Sequence, residues 1–291
     1  MSERTLEIKR IGVVGSGTMG NGIAQVAAMV GYAVTLYDVD PAILHRAVDR
    51  IRANLEKGVD IGKVEPEVRD RALAAISTTT QLSEAADGAD LVIEAAPEDI
   101  DLKCGIFAKL DAAAPAHAIL ATNTSSLSVT RIAEATNRPG QVLGMHFFNP
   151  VHIMKLLELV RTGYTEEPVL EAARAAGMAM GKTPIVVKDS PGFATTRLGL
   201  SLSLEATRML DEGVASAEDI DIAMELGYGH PMGPFKLGDL VGLDVRLAIA
   251  EYMYRETGND LFKPSETLKR LVSEGKLGKK TGEGFYKWDK E

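Results

Sequence analysis

Short apolar runs alternate with longer amphipathic stretches through the first two-thirds of this 291-residue chain. The runs at 11–15, 33–38, 90–94, 118–123 and 142–146 read as strands, with weaker ones at 155–160 and 184–188. Helical spacing occupies 21–30, 41–57, 102–113 and 167–180. Such alternation predicts a parallel sheet covered by helices on both faces, an α/β fold of the doubly wound, Rossmann type. The near-continuous apolar runs Val-Ile-Glu-Ala and Ile-Leu-Ala-Thr suit strands buried on both faces.

The pattern changes after Asp189-Ser190-Pro191-Gly192. Beyond it lie long helical segments at 193–212 and 240–255 and no convincing strand, with Ser216 and Asp219 as a cap before a helix at 220–226. We therefore expect two domains, residues 1–188 and an all-α domain over 189–291. The second is helical enough to form a dimer interface.

Composition narrows the chemistry. The net charge is −9 and no basic block occurs, which argues against nucleic acid as the main partner while allowing a small phosphorylated ligand. A single cysteine, Cys104, excludes an intrachain disulfide and a cysteine-built metal cage, and fits a reducing, cytoplasmic setting. The first ten residues mix charges without an apolar core, so no signal peptide is expected there, and no apolar run reaches the roughly 20 residues of a membrane span.

The clearest motif is Gly15-Ser-Gly17-Thr18-Met19-Gly20, directly after a strand and opening a helix. Gly15 suits a tight turn, Gly17 lets backbone approach a diphosphate, and Gly20 lets helix and strand pack closely. Asp38 follows at the spacing of a carboxylate that holds a ribose 2′-hydroxyl and repels a 2′-phosphate, which favours NAD over NADP. The same residue would also serve as a helix N-cap.

His146 stands at the expected end of a strand, where such sheets place their ligand crevices, and hydride removal from an alcohol needs a base of its kind. Glu158, set in the apolar run Leu-Leu-Glu-Leu-Val, is the natural carboxylate to orient it, although the spacing alone also fits two unrelated core residues. Asn123-Thr-Ser125-Ser126 forms a second polar cluster, suited to binding a substrate oxygen or the nicotinamide ribose, or to capping a helix at 129–135. His146 and His152 lack a third metal ligand at a recognised zinc spacing, and no Gly-x-Ser-x-Gly elbow is present.

Taken together, these motifs resemble the L-3-hydroxyacyl-CoA dehydrogenase family, in particular its short monofunctional 3-hydroxybutyryl-CoA type. The resemblance runs through Asn-Thr-Ser-Ser-Leu at 123–127, His-Phe-Phe-Asn-Pro at 146–150, Met-Lys-Leu-x-Glu at 154–158 and Asp-Ser-Pro-Gly-Phe at 189–193. It continues in Gly-Tyr-Gly-His-Pro-Met-Gly-Pro-Phe at 227–235 and Gly-Lys-Lys-Thr-Gly-Glu-Gly-Phe-Tyr at 278–286. It implies an NAD domain and a dimerising helical domain with substrate in the cleft between them. The implied reaction is reversible oxidation of an (S)-3-hydroxyacyl-CoA to the 3-ketoacyl-CoA, with His146 as general base oriented by Glu158. By the same resemblance Ser125 and Asn149 surround substrate oxygen and nicotinamide, Glu98 and Lys103 help hold NAD, and Lys280 lies near the cofactor. Asn123 joins Gly15, Gly17, Thr18, Met19, Gly20 and Asp38 among the expected cofactor contacts.

Two departures stand out. The family's Pro-Gly-Phe-x-x-Asn-Arg reads Pro191-Gly-Phe-Ala-Thr-Thr196-Arg197 here, so a shorter hydroxyl replaces the amide that touches substrate. The family's CoA-contacting Ser and Lys are not clearly retained. Arg52, Lys57 and Lys63 are nearby cations able to meet CoA phosphates, or simply a solvated helix face. The same scaffold also serves free hydroxy acids of the gulonate type, and a silent NAD-binding structural protein is the alternative of a different class.

Overall fold

A computed structural model describes residues 6–289, so the first five residues of the segment read above for a leader lie outside the described residues. Up to Asp189 the chain forms one compact unit, and from Ser190 onward another.

The first unit runs β1 (Arg10–Val14), α1 (Thr18–Met29), β2 (Ala33–Tyr37), α2 (Pro41–Asp60), α3 (Pro66–Ala74), β3 (Ile76–Thr79), α4 (Leu82–Ala86) and β4 (Leu91–Glu94). It continues α5 (Ile100–Ala113), β5 (Ile119–Thr122), α6 (Val129–Ala133), β6 (Val142–Phe147), β7 (Leu156–Arg161), α7 (Glu167–Ala179) and β8 (Thr183–Lys188). The eight strands lie in the order β3-β2-β1-β4-β5-β6-β7-β8. The central strands β4, β5 and β6 are buried at every position, which is why they read as unbroken apolar runs. The edge strand β3, Ile-Ser-Thr-Thr, is only half-buried; its polar composition hid it from the apolar pattern.

Helix α2 shows how local rules set an element. Pro41 opens it, the Asp40 carboxylate accepts from the Ala42 N–H at 2.8 Å, and Leu44, Ala47, Ile51 and Leu55 form its buried stripe. That stripe packs with Ile23 and Ala27 of α1 and Ala173 of α7 against Val13, Leu36, Ile93 and Leu143 of the sheet. On the opposite face Gly12 admits α4, since a Cβ there would strike the Ala85 carbonyl.

The sheet differs from the all-parallel expectation at one point. β7 runs antiparallel to β6. Residues 148–155 contain no crossover helix, and a link that short cannot return the chain to the starting edge for a parallel strand.

The second unit comprises α8 (Thr195–Asp211), α9 (Ala217–Tyr228), α10 (Pro234–Val241), α11 (Leu243–Thr257) and α12 (Glu266–Ser273). Ser216 caps α9, accepting from the Asp219 N–H at 3.1 Å. The single helix expected at 240–255 is interrupted at Gly242, whose φ of +107° ends α10 before α11 begins. Buried Asp221 accepts from the N–H groups of Phe235 (2.8 Å) and Lys236 (3.0 Å), so α9 caps α10. Asp239 accepts from the Phe285 and Tyr286 N–H groups (2.9 Å each) and from Trp288 Nε1 (2.8 Å), which ties the C-terminal segment to α10. Burial, and then the hydrogen bond to Asp221, push the Tyr286 phenol well above its usual pKa.

Candidate active site

The parallel strands β1, β2, β4, β5 and β6 bring their C-terminal ends to one edge of the sheet, and the candidate residues cluster along it. At the end of β1, Gly15 adopts φ +95°, and a Cβ on it would sit 2.7 Å from the Ala95 carbonyl oxygen. A Cβ on Gly20 would collide with the Gly15 carbonyl, so only glycine lets α1 start this close to β1. Gly17, the N-cap of α1, instead faces open space, and no side chain caps the helix. The N–H groups of Thr18, Met19 and Gly20 lie in the first turn, where helical N–H groups lack intrahelical partners, and with the positive end of the helix dipole they suit an anion.

Asp38 lies just past β2. Its carboxylate accepts from the Ser16 N–H at 2.8 Å and the Ser16 hydroxyl at 2.9 Å, holding a negative charge against the glycine turn. The helix cap next to it is Asp40, so Asp38 does not cap α2.

Beneath the crevice is a buried ionic network. Glu94 is fully buried at the end of β4 and accepts from Lys103 Nζ at 2.7 Å, the Thr122 hydroxyl at 2.6 Å and the Ala96 N–H at 2.6 Å. The Lys103 ammonium is 1% exposed and also lies 3.5 Å from Glu98. In this structure it is a buried strut committed to Glu94. Glu98 in turn accepts from the Thr124 hydroxyl (2.6 Å), the Ser125 N–H (2.9 Å) and the Ser125 hydroxyl (3.2 Å). Glu94 escaped the sequence reading; its signal was a lone carboxylate inside an otherwise apolar strand.

Asn123 Oδ1 accepts from the Phe147 N–H at 2.9 Å and so ties the end of β5 to the end of β6. The cap of α6 is Ser128, reinforced by Asp189, which accepts from the Thr130 N–H at 2.7 Å. Residues 123–126 therefore do not cap that helix, and Thr124 instead closes the turn by accepting from the Leu127 N–H at 3.0 Å.

His146 and Glu158 are direct cross-strand partners in the β6–β7 ladder, so their side chains share a face at close range. His146 Nδ1 lies 2.8 Å from Glu158 Oε2, with the two side chains 8% and 0% exposed. The Phe148 ring packs on the imidazole with centroids 4.4 Å apart. Asn149 follows on the same segment and is exposed.

Of the remaining expected residues, Thr196 and Lys280 belong to the second unit and Lys57 to α2. Thr196 stands in the first turn of α8, in the second unit, half-buried. Lys280 bonds both oxygens of Asp244, at 2.6 and 2.7 Å. Lys57, exposed on α2, lines a cavity of about 620 Å³ with Lys63, His152, Lys155, Lys182 and Asn54. Lys182 is buried and donates to the carbonyls of Val151 and, at 2.9 Å, Met154. Burial, then the neighbouring Lys155, lower its pKa; burial, then Lys182, lower that of His152. Among the described residues Lys57, Lys63 and Lys155 form no ion pair, so this rim is electropositive.

A glycine turn opening onto an uncapped helix, with a carboxylate-held histidine at the same sheet edge, belongs to the class of dinucleotide-dependent dehydrogenases. Residues 10–190 match the NAD-binding domain of 3-hydroxyacyl-CoA dehydrogenase, and residues 192–288 match that family's C-terminal domain. The chain is 44% identical over 287 residues to a probable 3-hydroxybutyryl-CoA dehydrogenase of Bacillus subtilis, covering 98% of this chain and 99% of the relative. It is also 44% identical to a 3-hydroxybutyryl-CoA dehydrogenase of Mycobacterium tuberculosis, covering 96% and 98%. Among solved structures, (S)-3-hydroxybutyryl-CoA dehydrogenase from Ralstonia eutropha is similar with a TM-score of 0.94 at 40% identity, covering 98% of this chain and all of that one. The chain belongs to the 3-hydroxyacyl-CoA dehydrogenase family, and its cofactor is NAD.

Proposed function

We propose that the protein oxidises (S)-3-hydroxyacyl-CoA, with 3-hydroxybutyryl-CoA as the reference substrate, to the 3-ketoacyl-CoA, reversibly and with NAD. The observation that carries this reading is the 2.8 Å contact between His146 Nδ1 and fully buried Glu158, at the strand edge that also carries the glycine turn. With Nδ1–H donated to the carboxylate, Nε2 is the basic nitrogen of the neutral ring and takes the proton of the 3-hydroxyl. Glu158 holds the ring in that tautomer and stabilises the imidazolium that forms. Bound NAD supplies the hydride acceptor for C3. Ser125, which Glu98 holds, and Asn149 orient the substrate oxygen. In the reverse direction His146 returns the proton to the developing alkoxide.

The lysine-lined cavity supports the CoA part of the proposal. Lys57, Lys63 and Lys155 offer three cations beside apolar Val26, Met29 and Ile153, a combination suited to phosphates and an adenine ring. Arg52 is not among the lining residues. The proposal extends to a homodimer formed through the second domain, for which exposed Leu198, Leu226 and Tyr228 offer apolar surface. We place the protein in the cytoplasm on its single cysteine; no helix among the described residues is long and apolar enough to cross a membrane.

The test is NADH consumption with acetoacetyl-CoA against free acetoacetate and other keto acids. Turnover confined to the thioester is expected; equal turnover of the free acid would move the protein to the hydroxy-acid branch. His146→Gln should lower kcat by about 10²–10⁴-fold with NAD binding unchanged. Full activity in that variant would remove the histidine from the mechanism.

A further inference from the structure

His146, Phe148 and Asn149 lead directly into a turn between β6 and β7, and a lysine from a later part of the chain holds that turn. The N–H groups of Ile153 and Met154 both bond the Pro150 carbonyl, at 3.0 and 2.9 Å. Val151 is 2% exposed, and a Cβ on Gly22 would lie 2.9 Å from its side chain, so the turn is wedged against α1. Lys182, in the link from α7 to β8, donates to the carbonyls of Val151 and, at 2.9 Å, Met154. The next residue, Thr183, bonds the Lys155 carbonyl through its N–H at 2.7 Å.

Lys182 is also an uncompensated charge. It is 8% exposed, both of its acceptors are neutral carbonyls, and among the described residues no carboxylate pairs with it. A buried cation without a counterion is costly, and two carbonyls do not neutralise it. An ammonium has three N–H donors, so one remains. The same side chain lines the lysine cavity, beside Lys57, Lys63 and Lys155.

We propose that Lys182 is a positioning residue that links this cavity to the catalytic stretch: an anion seated in the cavity completes its coordination, and the turn it holds then fixes Phe148 and Asn149 beside His146. This rests on the acyl-CoA reading above, in which the anion is the phosphate end of CoA. Binding there raises kcat and not only affinity, because binding energy from a non-reacting part of the substrate orders the reacting part. Lys57 and Lys63 are exposed on the rim and serve attraction alone. Burial, then Lys155, lower the affinity of Lys182 for its proton, a strain that an anion in the cavity would relieve.

The experiment reduces acetoacetyl-N-acetylcysteamine, a thioester without phosphates, using NADH with and without adenosine 3′,5′-bisphosphate as the cavity probe. In wild type the bisphosphate should raise kcat about 2–10-fold, the worth of one hydrogen bond. Lys182→Met should lower that plateau to the unstimulated rate, whereas Lys57→Met should raise the bisphosphate concentration at half-effect. A lysine that only braced the fold would slow the reaction equally with and without the probe. Activation that survives in Lys182→Met overturns the proposal. Amide hydrogen exchange across residues 150–154 gives a readout that needs no turnover: the bisphosphate should slow it in wild type and not in the variant. Unchanged exchange in wild type, whether or not the bisphosphate binds, also overturns the proposal, and this arm decides even where the variant does not fold. Should wild type fail to reduce acetoacetyl-CoA itself, the acyl-CoA reading falls, while exchange still reports whether cavity and turn are linked.

Discussion

Thr196 occupies the position where the family resemblance leads one to expect asparagine, and it does so half-buried in the first turn of α8. A threonine hydroxyl reaches less far than an amide and offers one donor where the amide offers two. Thr196→Asn is therefore expected to raise kcat/KM on acetoacetyl-CoA several-fold, by about the worth of one added hydrogen bond. An unchanged or lower value would mean that the surroundings have adapted to the hydroxyl. His146 and Glu158 were legible as residues because of their types and neighbours. Their contact was not, since the eleven intervening residues do not say which positions of the two strands pair.

Among the elements, β1 and β4 are tied together at their starts by one carboxylate. Asp90 accepts from the N–H groups of Lys9 at 2.8 Å and Arg10 at 2.9 Å and lies 3.1 Å from His117 Nε2. Burial pushes its pKa up, but the two backbone donors and the histidine outweigh this, and the net shift is downward from 3.8. A depressed carboxyl pKa contributes stability that is present above the unfolded value and lost as pH falls through the folded one. Asp90→Asn should thus lower unfolding free energy by about 1–2 kcal/mol at neutral pH, and the gap to wild type should close below pH 3.8. Denaturant titrations at pH 7 and at steps downward from pH 3.8 follow the gap; one that does not narrow at any step would contradict the assignment. Strands β4, β5 and β6 were readable as continuous apolar runs. β3 was not, because a half-exposed edge strand imposes no such pattern.

For the molecule as a whole, an anionic protein must bind an anionic thioester, and in the proposed reading the lysine cavity resolves that conflict locally. His152 lines it with Lys57, Lys63, Lys155 and Lys182, and its lowered pKa leaves it neutral at pH 7. Protonation adds a cation, so CoA should bind more tightly as pH falls from 7.5 towards 5.5, by at most about tenfold per pH unit. Since CoA phosphate itself titrates near pH 6, the comparison is with His152→Gln, in which calorimetry should find the gain gone. An identical pH dependence in both proteins would exclude the histidine. The amino-acid order alone determined the α/β alternation, the glycine turn, the expectation of NAD that Asp38 raised and the presence of the histidine, because these follow from local periodicity and from chemistry carried within a few residues. The reversal of β7, the burial of Lys103 against Glu94, the gathering of four lysines around one cavity and the hold of Lys182 on the turn after Pro150 were decided by folding. Each depends on which distant segments share space, and that is set by the packing of the whole chain.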